Sequence, residues 1–282
     1  DAVNTAARLE AAAEPGQILI GDETYRLVRD AVEAQPVEPL SLKGKAEPVP
    51  AHRLIAVVSE TGQVRGALLS TMVGRDRELE DLTRAFARAA EDRSCLLFTV
   101  LGAAGEGKSR LVEEFLATVD DSATVVTGRC LPYGEGITYW PVAEAVRDAL
   151  GVQAFDPPEN VVARLVEAVA DDEHAASITR RLSEILGVGE SAGAAEETPW
   201  AIRRFLELLA DDQPLVALWE DIHWAEPAFL DVVDHIVDWS REAPILLVCT
   251  ARPEFLDTRS DWGGGKLNAT TLLLQPLDQK AS

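Results

Sequence analysis

Gly102-Ala103-Ala104-Gly105-Glu106-Gly107-Lys108-Ser109 constrains this chain more than any other stretch, because Gly-x-x-x-x-Gly-Lys-Ser stands between an apolar run and an amphipathic one. The run Cys95-Leu96-Leu97-Phe98-Thr99-Val100-Leu101 reads as a buried strand, and Arg110-Leu111-Val112-Glu113-Glu114-Phe115-Leu116 reads as a helix. In a loop so placed, glycines let successive backbone N–H groups converge on phosphate oxygens, a lysine reaches the terminal phosphates, and a serine hydroxyl ligates magnesium. Gly102, Gly105, Gly107, Lys108, Ser109 and the neighbouring Arg110 are therefore the candidate contacts to a nucleotide, with Ser109 on the metal. A chain of this length meets the four fixed positions by accident on the order of once in a hundred, and the flanking strand and helix reduce that further.

The remaining composition narrows the class. Over 282 residues, 47% are apolar and 26% charged, which suits one large or two modest globular domains. The 26 basic and 48 acidic side chains leave a net charge of −22, which repels polyanions and argues against a nucleic-acid partner in this region. No Lys/Arg cluster interleaved with aromatics offsets that balance. No apolar run has the length of a bilayer span and no signal-peptide pattern opens the chain, so the expectation is a cytoplasmic protein with no membrane contact. Cys95, Cys130 and Cys249 lie far apart and read as buried free thiols. His223 and His235 lack a third ligand at metal spacing. The chain opens on Asp1 inside a helical pattern and carries a single methionine, Met72, which reads as a fragment.

Three segments follow from patterning: 1–58, a polar connector at 59–70, and an α/β segment at 71–282. In the last, Pro214-Leu215-Val216-Ala217-Leu218-Trp219-Glu220-Asp221 is an apolar strand ending in two acids. Magnesium takes hard oxygen ligands, and a carboxylate is also needed to position or activate water. Glu220 is assigned to the metal and Asp221 to the water, although the reverse division fits the same string. Pro244 to Thr250 reads as another strand, and Arg252 just beyond it is placed either to sense a terminal phosphate or to cap neighbouring carboxylates. Helical stretches are expected within 79–90, 160–186 and 200–210, with a linker at 187–198 and a last strand at 271–274. Alternating strands and helices predict an α/β fold, a three-layer αβα parallel sheet, with ligands at the carboxyl ends of the strands. Gly107, Glu220 and Arg252 would then share one edge.

Several strings resemble known families. The phosphate-loop pattern, the acid-ended strand and the continuation Ile222-His223-Trp224-Ala225-Glu226-Pro227 resemble the P-loop signal-transduction ATPases with numerous domains and their AAA-type relatives. The resemblance implies that Val73-Gly74-Arg75 lies against adenine, that ATP and Mg2+ are bound, and that a helical lid follows the core, which this sequence does not contain. The loop Cys130 to Pro141 also resembles one that recurs in cyclase-linked ATPases. Glu106 departs from the apolar residue usual at its position, and a carboxylate near phosphates repels them by about 1 kcal/mol when solvated. Weaker ATP affinity is expected.

Asp1 to Glu10, Gly16 to Ile20 and Leu42-Lys43-Gly44-Lys45 resemble the C-terminal part of a class III adenylate/guanylate cyclase domain, a partial α+β unit. Asn4 and Arg8 stand four apart, on one face of a helix. The resemblance implies that Asn4 orients the ribose, that Arg8 stabilises the transition state, and that Lys43 or Lys45 contacts the triphosphate. The family's metal aspartates have no counterpart after position 1, so cyclisation by this chain alone is not expected. The combined expectation is a Mg-ATP-dependent slow ATPase switch fused to a cyclase segment, answering to an upstream regulator. Half of a cyclase site completed by a dimer partner, or an ATP-stabilised scaffold, are the alternatives.

Overall fold

The computed structural model describes residues 6–7, 9–10, 12–13, 17–28, 32–40, 49–57, 72, 74–132, 138–153, 156–189 and 197–276. The chain divides into two compact units, Asp1–Thr71 and Met72–Ser282.

In the first unit, β1 (Ile18–Gly21), α1 (Asp22–Val28), β2 (Val32–Leu40) and β3 (Val49–Val57) follow one another. β3 is the middle strand of a three-stranded sheet and pairs antiparallel with both neighbours. Helical Leu9 is buried with Ala51 of β3, which gives this small sheet a core on one side. His52 stacks on Tyr25 with centroids 4.0 Å apart and lies 3.2 Å from the Asp22 carboxylate, which ties α1 to β3. Asn4, Arg8, Lys43 and Lys45 lie outside the described residues.

The second unit is an α/β fold on a five-stranded parallel sheet, consistent with a P-loop NTPase. Its elements are α2 (Asp76–Glu91), β4 (Cys95–Leu101), α3 (Lys108–Val119), β5 (Thr124–Arg129), α4 (Trp140–Leu150), α5 (Pro158–Ala168), α6 (Ala175–Ile185), α7 (Thr198–Leu209), β6 (Leu215–Glu220), a 3-10 turn (Ile222–Trp224), α8 (Pro227–Trp239), β7 (Ile245–Ala251), α9 (Phe255–Thr258) and β8 (Ala269–Leu273). The strand order is β5-β6-β7-β4-β8, with every neighbouring pair parallel.

Parallel strands covered on both faces read as unbroken apolar runs, and alternate residues serve opposite layers. Leu96, Phe98, Val100, Val216, Leu218, Leu246 and Val248 meet Leu82 and Phe86 of α2 and Leu111 and Phe115 of α3. Leu97, Leu101, Leu215, Ala217, Trp219, Ile245 and Leu247 face α4 to α8 instead. This two-sided burial makes the sheet rigid, and the carboxyl ends of its central strands inherit that rigidity.

Three differences from the sequence reading have local causes. α4 was not anticipated, because its start, Trp140-Pro141, stands at the end of a Gly/Pro-punctuated loop; Pro at a first helical turn is nevertheless well tolerated. The acid-ended strand stops at Glu220, since Asp221 turns left-handed. The last strand is Ala269–Leu273, shifted toward the N-terminus by its pairing with β4.

Gly128 lets α4 approach the sheet: a Cβ on this β5 residue would fall inside the van der Waals contact of the Pro141 carbonyl. Gly128→Ala is expected to cost about 1–3 kcal/mol of stability, read as a lower midpoint in urea unfolding. An unchanged midpoint would contradict this close approach.

Candidate functional site

The phosphate-loop sequence begins at the sheet edge, where the Gly102 N–H donates to the Ala251 carbonyl of β7 at 3.1 Å. Gly105 and Gly107 follow with φ of +85° and +87°, a left-handed backbone that side chains disfavour. A Cβ on either glycine would meet nothing within 4 Å, so their requirement is conformational and the space before the loop is open. That space faces the first turn of α3, whose orphan N–H groups and dipole favour an anion.

Lys108 Nζ donates to the Gly102 carbonyl at 2.7 Å and to the Ala103 carbonyl at 3.1 Å. An ammonium group has three donors, so these bonds fix the charge over the loop and leave one donor for a ligand. Ser109 is exposed one residue further on, and Arg110 pairs with Glu114 at 2.9 Å.

Glu106 does not hang freely before the loop. Its carboxylate accepts the Ala103 N–H at 2.5 Å, closing the loop on itself. Its backbone carbonyl accepts from Arg75 Nη2 at 3.2 Å. Arg75 is buried, and it donates further to Gln275 O at 2.5 Å and to Glu78 Oε1 at 2.8 Å. The structure therefore places the Arg75 guanidinium among loop backbone and Glu78, where it braces the loop. Gly74, at φ of +75°, precedes it in a left-handed turn, and Val73 lies outside the described residues.

β6 brings the two acids alongside. Glu220 ends the strand; Asp221 has φ 56° and ψ 40°, strained for a non-glycine residue by about 1–3 kcal/mol. The Asp221 N–H donates to Thr250 Oγ1 on β7 at 3.0 Å, which pins the turn to the sheet. From there the 3-10 turn carries His223 and Trp224, and Ile222 fills the core beneath them.

Arg129, which the sequence reading overlooked, ends β5 directly across from Glu220 in the strand register. Its guanidinium donates to Glu220 Oε2 from Nη2 at 2.5 Å and from Nε at 3.1 Å. Partial burial alone would lower its pKa, but Glu220, Asp221 and Glu144 together hold it above the usual arginine value. A basic residue at the end of one strand, with an acid at the end of another, is a visible signal only once the two are known to be neighbours. Cys130, next in the chain, is pushed up to about 12 by burial and the nearby Asp221 and Glu144 charges, so it stays a thiol.

Arg252 follows β7 and lies 5.8 Å from the Trp224 ring centroid, a cation–π arrangement. Neither reading offered for it in the sequence involved an aromatic. Thr138 donates to the Glu226 carboxylate beside this turn.

These residues suit a magnesium nucleotide. Open left-handed glycines, helix-start amides and a loop-held ammonium match a polyphosphate, and Ser109 and Glu220 carry hard oxygens of the kind magnesium prefers. Among the described residues, no cluster of three or more His, Cys, Asp or Glu is placed to hold a metal by itself, and no helix is long and apolar enough to cross a membrane.

A sequence profile described as "AAA ATPase domain" matches residues 71–248. An uncharacterized protein of Rhizobium meliloti (strain 1021), R02095, is 28% identical over 290 aligned positions, covering 98% of this chain and 28% of that protein. The chain thus spans under a third of that relative's length. Among solved structures, the Aeropyrum pernix ORC1 protein in complex with DNA is similar over 75% of this chain and 47% of its own, at 16% identity and a TM-score of 0.45. Cdc6p from Pyrobaculum aerophilum is similar over 77% of this chain and 50% of its own, at 13% identity and a TM-score of 0.41.

The bonding of Glu106 changes what its replacement should do. Glu106→Gln keeps an acceptor for the Ala103 N–H while removing the charge, and is expected to tighten Mg-ATP binding about fivefold, the equivalent of about 1 kcal/mol. Glu106→Ile removes the charge but also the loop-closing acceptor, and is expected to gain less. Isothermal titration of both variants checks the order; equal gains would remove the structural role of the carboxylate.

Proposed function

Because this chain belongs to the AAA ATPase domain family through residues 71–248, we propose that its second unit binds Mg-ATP and hydrolyses it slowly, as a switch. The observation that carries the reading is the Lys108 ammonium, held on two loop carbonyls beside open left-handed glycines and facing the sheet edge where Glu220 and Asp221 emerge. In this reading the loop amides and Lys108 would bind the β- and γ-phosphates, and Ser109 with Glu220 would hold magnesium. Asp221 orients and deprotonates water, Arg252 answers to the terminal phosphate, and Gly74 with Arg75 supports the nucleotide end of the loop. When bound, magnesium neutralises charge on the phosphate oxygens.

Slow turnover follows from the state of the site's arginines. Arg75 is spent on backbone carbonyls and Glu78, Arg110 on Glu114, and Arg129 on Glu220. An arginine supplied to the transferring phosphoryl group is worth about three to five orders of magnitude in such reactions, and a partner or regulator would supply it here. Lys108→Ala is expected to abolish Mg-ATP binding measured by isothermal titration. Unchanged affinity in that variant would refute the site.

Fusion to a cyclase segment is the second part of the proposal, supported by the strings 1–10, 16–20 and 42–45. Asn4 and Arg8 with Lys43 or Lys45 would furnish half of a nucleotide-cyclising site, and the metal carboxylates would come from a dimer partner. Mixing the chain with a cyclase half that bears those aspartates is expected to produce cyclic nucleotide, while the chain alone produces none. Absence of product in the mixture would remove this part and leave the ATPase reading untouched. Should ATP raise the melting temperature without any phosphate release, the unit is a scaffold that nucleotide only stabilises.

A further inference from the structure

The His223 side chain is 9% exposed, yet neither ring nitrogen has a hydrogen-bond partner among the described residues. Buried polar groups are ordinarily satisfied, so two orphans on one ring require a reason. The ring is tilted against Trp224, with centroids 5.0 Å apart, at the turn where the chain leaves β6. Its Nδ1 stands 3.9 Å from Asp221 Oδ1, just beyond hydrogen-bond reach. The charges acting on it belong to Asp221, Arg252, Lys108 and Glu254, which come from the phosphate loop and the segments that follow β6 and β7.

Burial foremost, then the Arg252 and Lys108 charges, hold the ring below the usual histidine pKa against the opposing pull of Asp221 and Glu254. A neutral imidazole carries one N–H donor and one lone pair. Asp221 is the complementary case. Its backbone is pinned by the left-handed turn and by Thr250, but its carboxylate is 43% exposed and accepts no hydrogen bond among the described residues. An exposed acid and a ring without a partner among the described residues therefore sit about 1 Å short of a normal bond.

We propose that His223 is a positioning residue for ATP hydrolysis: its ring N–H donates to the Asp221 carboxylate when the site fills, fixing the oxygen that accepts the proton of the attacking water. This inference rests on the ATP-site reading above. In the step it serves, the water oxygen bonds to the terminal phosphorus while the bond from that phosphorus to the bridging oxygen breaks. The electron pair leaves with ADP, and the water proton passes to Asp221.

The test compares His223→Leu and His223→Asn in the full chain, because an asparagine amide nitrogen stands as many bonds from the backbone as ring Nδ1. Each variant is checked for an unchanged thermal melt. Mg-ATP affinity is then measured by titration and phosphate release in a single turnover. His223→Leu is expected to keep its affinity within about twofold while losing about tenfold or more in rate, and His223→Asn to recover most of that loss. Equal loss in both variants, a leucine variant as fast as the parent, or a fall in affinity instead of rate would each overturn the proposal. So would a parent that binds Mg-ATP but releases no phosphate in a single turnover. Loss of the ATP-site reading itself is registered separately, by a Lys108→Ala variant that binds as the parent does.

Discussion

The second unit depends on the join between β4 and α3, where a buried parallel strand must become a helix within six residues. Left-handed glycines make the turn possible, and the Lys108 ammonium gathers the carbonyls of Gly102 and Ala103 that the turn leaves pointing inward. Glu106 closes the loop from the other side by taking the Ala103 N–H, and buried Arg75 braces its carbonyl while holding Gln275 beyond the last strand. The loop is thus shaped by bonds within the chain. Preorganised amides and a fixed cation lose little freedom on binding, the condition under which electrostatic groups act most strongly.

Around that loop, the sheet acts as a positioning device. β4, β6 and β7 are in parallel register, so Gly102, Glu220 and Arg252 emerge within one edge. Two cross-strand contacts refine this placement: Arg129 holds Glu220 from β5, and Thr250 holds the Asp221 backbone from β7. The two adjacent acids consequently live in different environments, one clamped by the Arg129 guanidinium and one 43% exposed, 3.9 Å from the His223 ring. The proposed division of metal and water roles between the two acids draws on that difference.

Beyond the site, the helices α6 and α7 and the segments before them are fastened by charge as well as by apolar packing. Arg204 joins Asp172 and Glu207, and Arg181 joins Glu184 and Glu197. Paired buried charges of this kind contribute little net stability, but removing one partner leaves a costly remainder, so they restrict how the helices are arranged.

How much was legible beforehand can be judged from particular residues. The glycine-lysine-serine spacing and the continuous apolar runs implied a two-sided parallel sheet with its ligand edge at position 102, because local backbone freedom and burial on both faces are written in residue type. The helices at 158–168, 175–185 and 198–209 also followed from their periodicity. Arg129 against Glu220, Arg75 under the loop, Arg252 on Trp224, and the buried, unsatisfied ring of His223 were not legible. Each depends on which strands become neighbours, or on how one turn directs a side chain. Sequence by itself determined the strand, the loop and the kind of ligand they suit; only tertiary structure decided the partners, since contacts such as those of Arg75 with Glu106 and Gln275, 31 and 200 positions away, carry no local periodicity from which to read them.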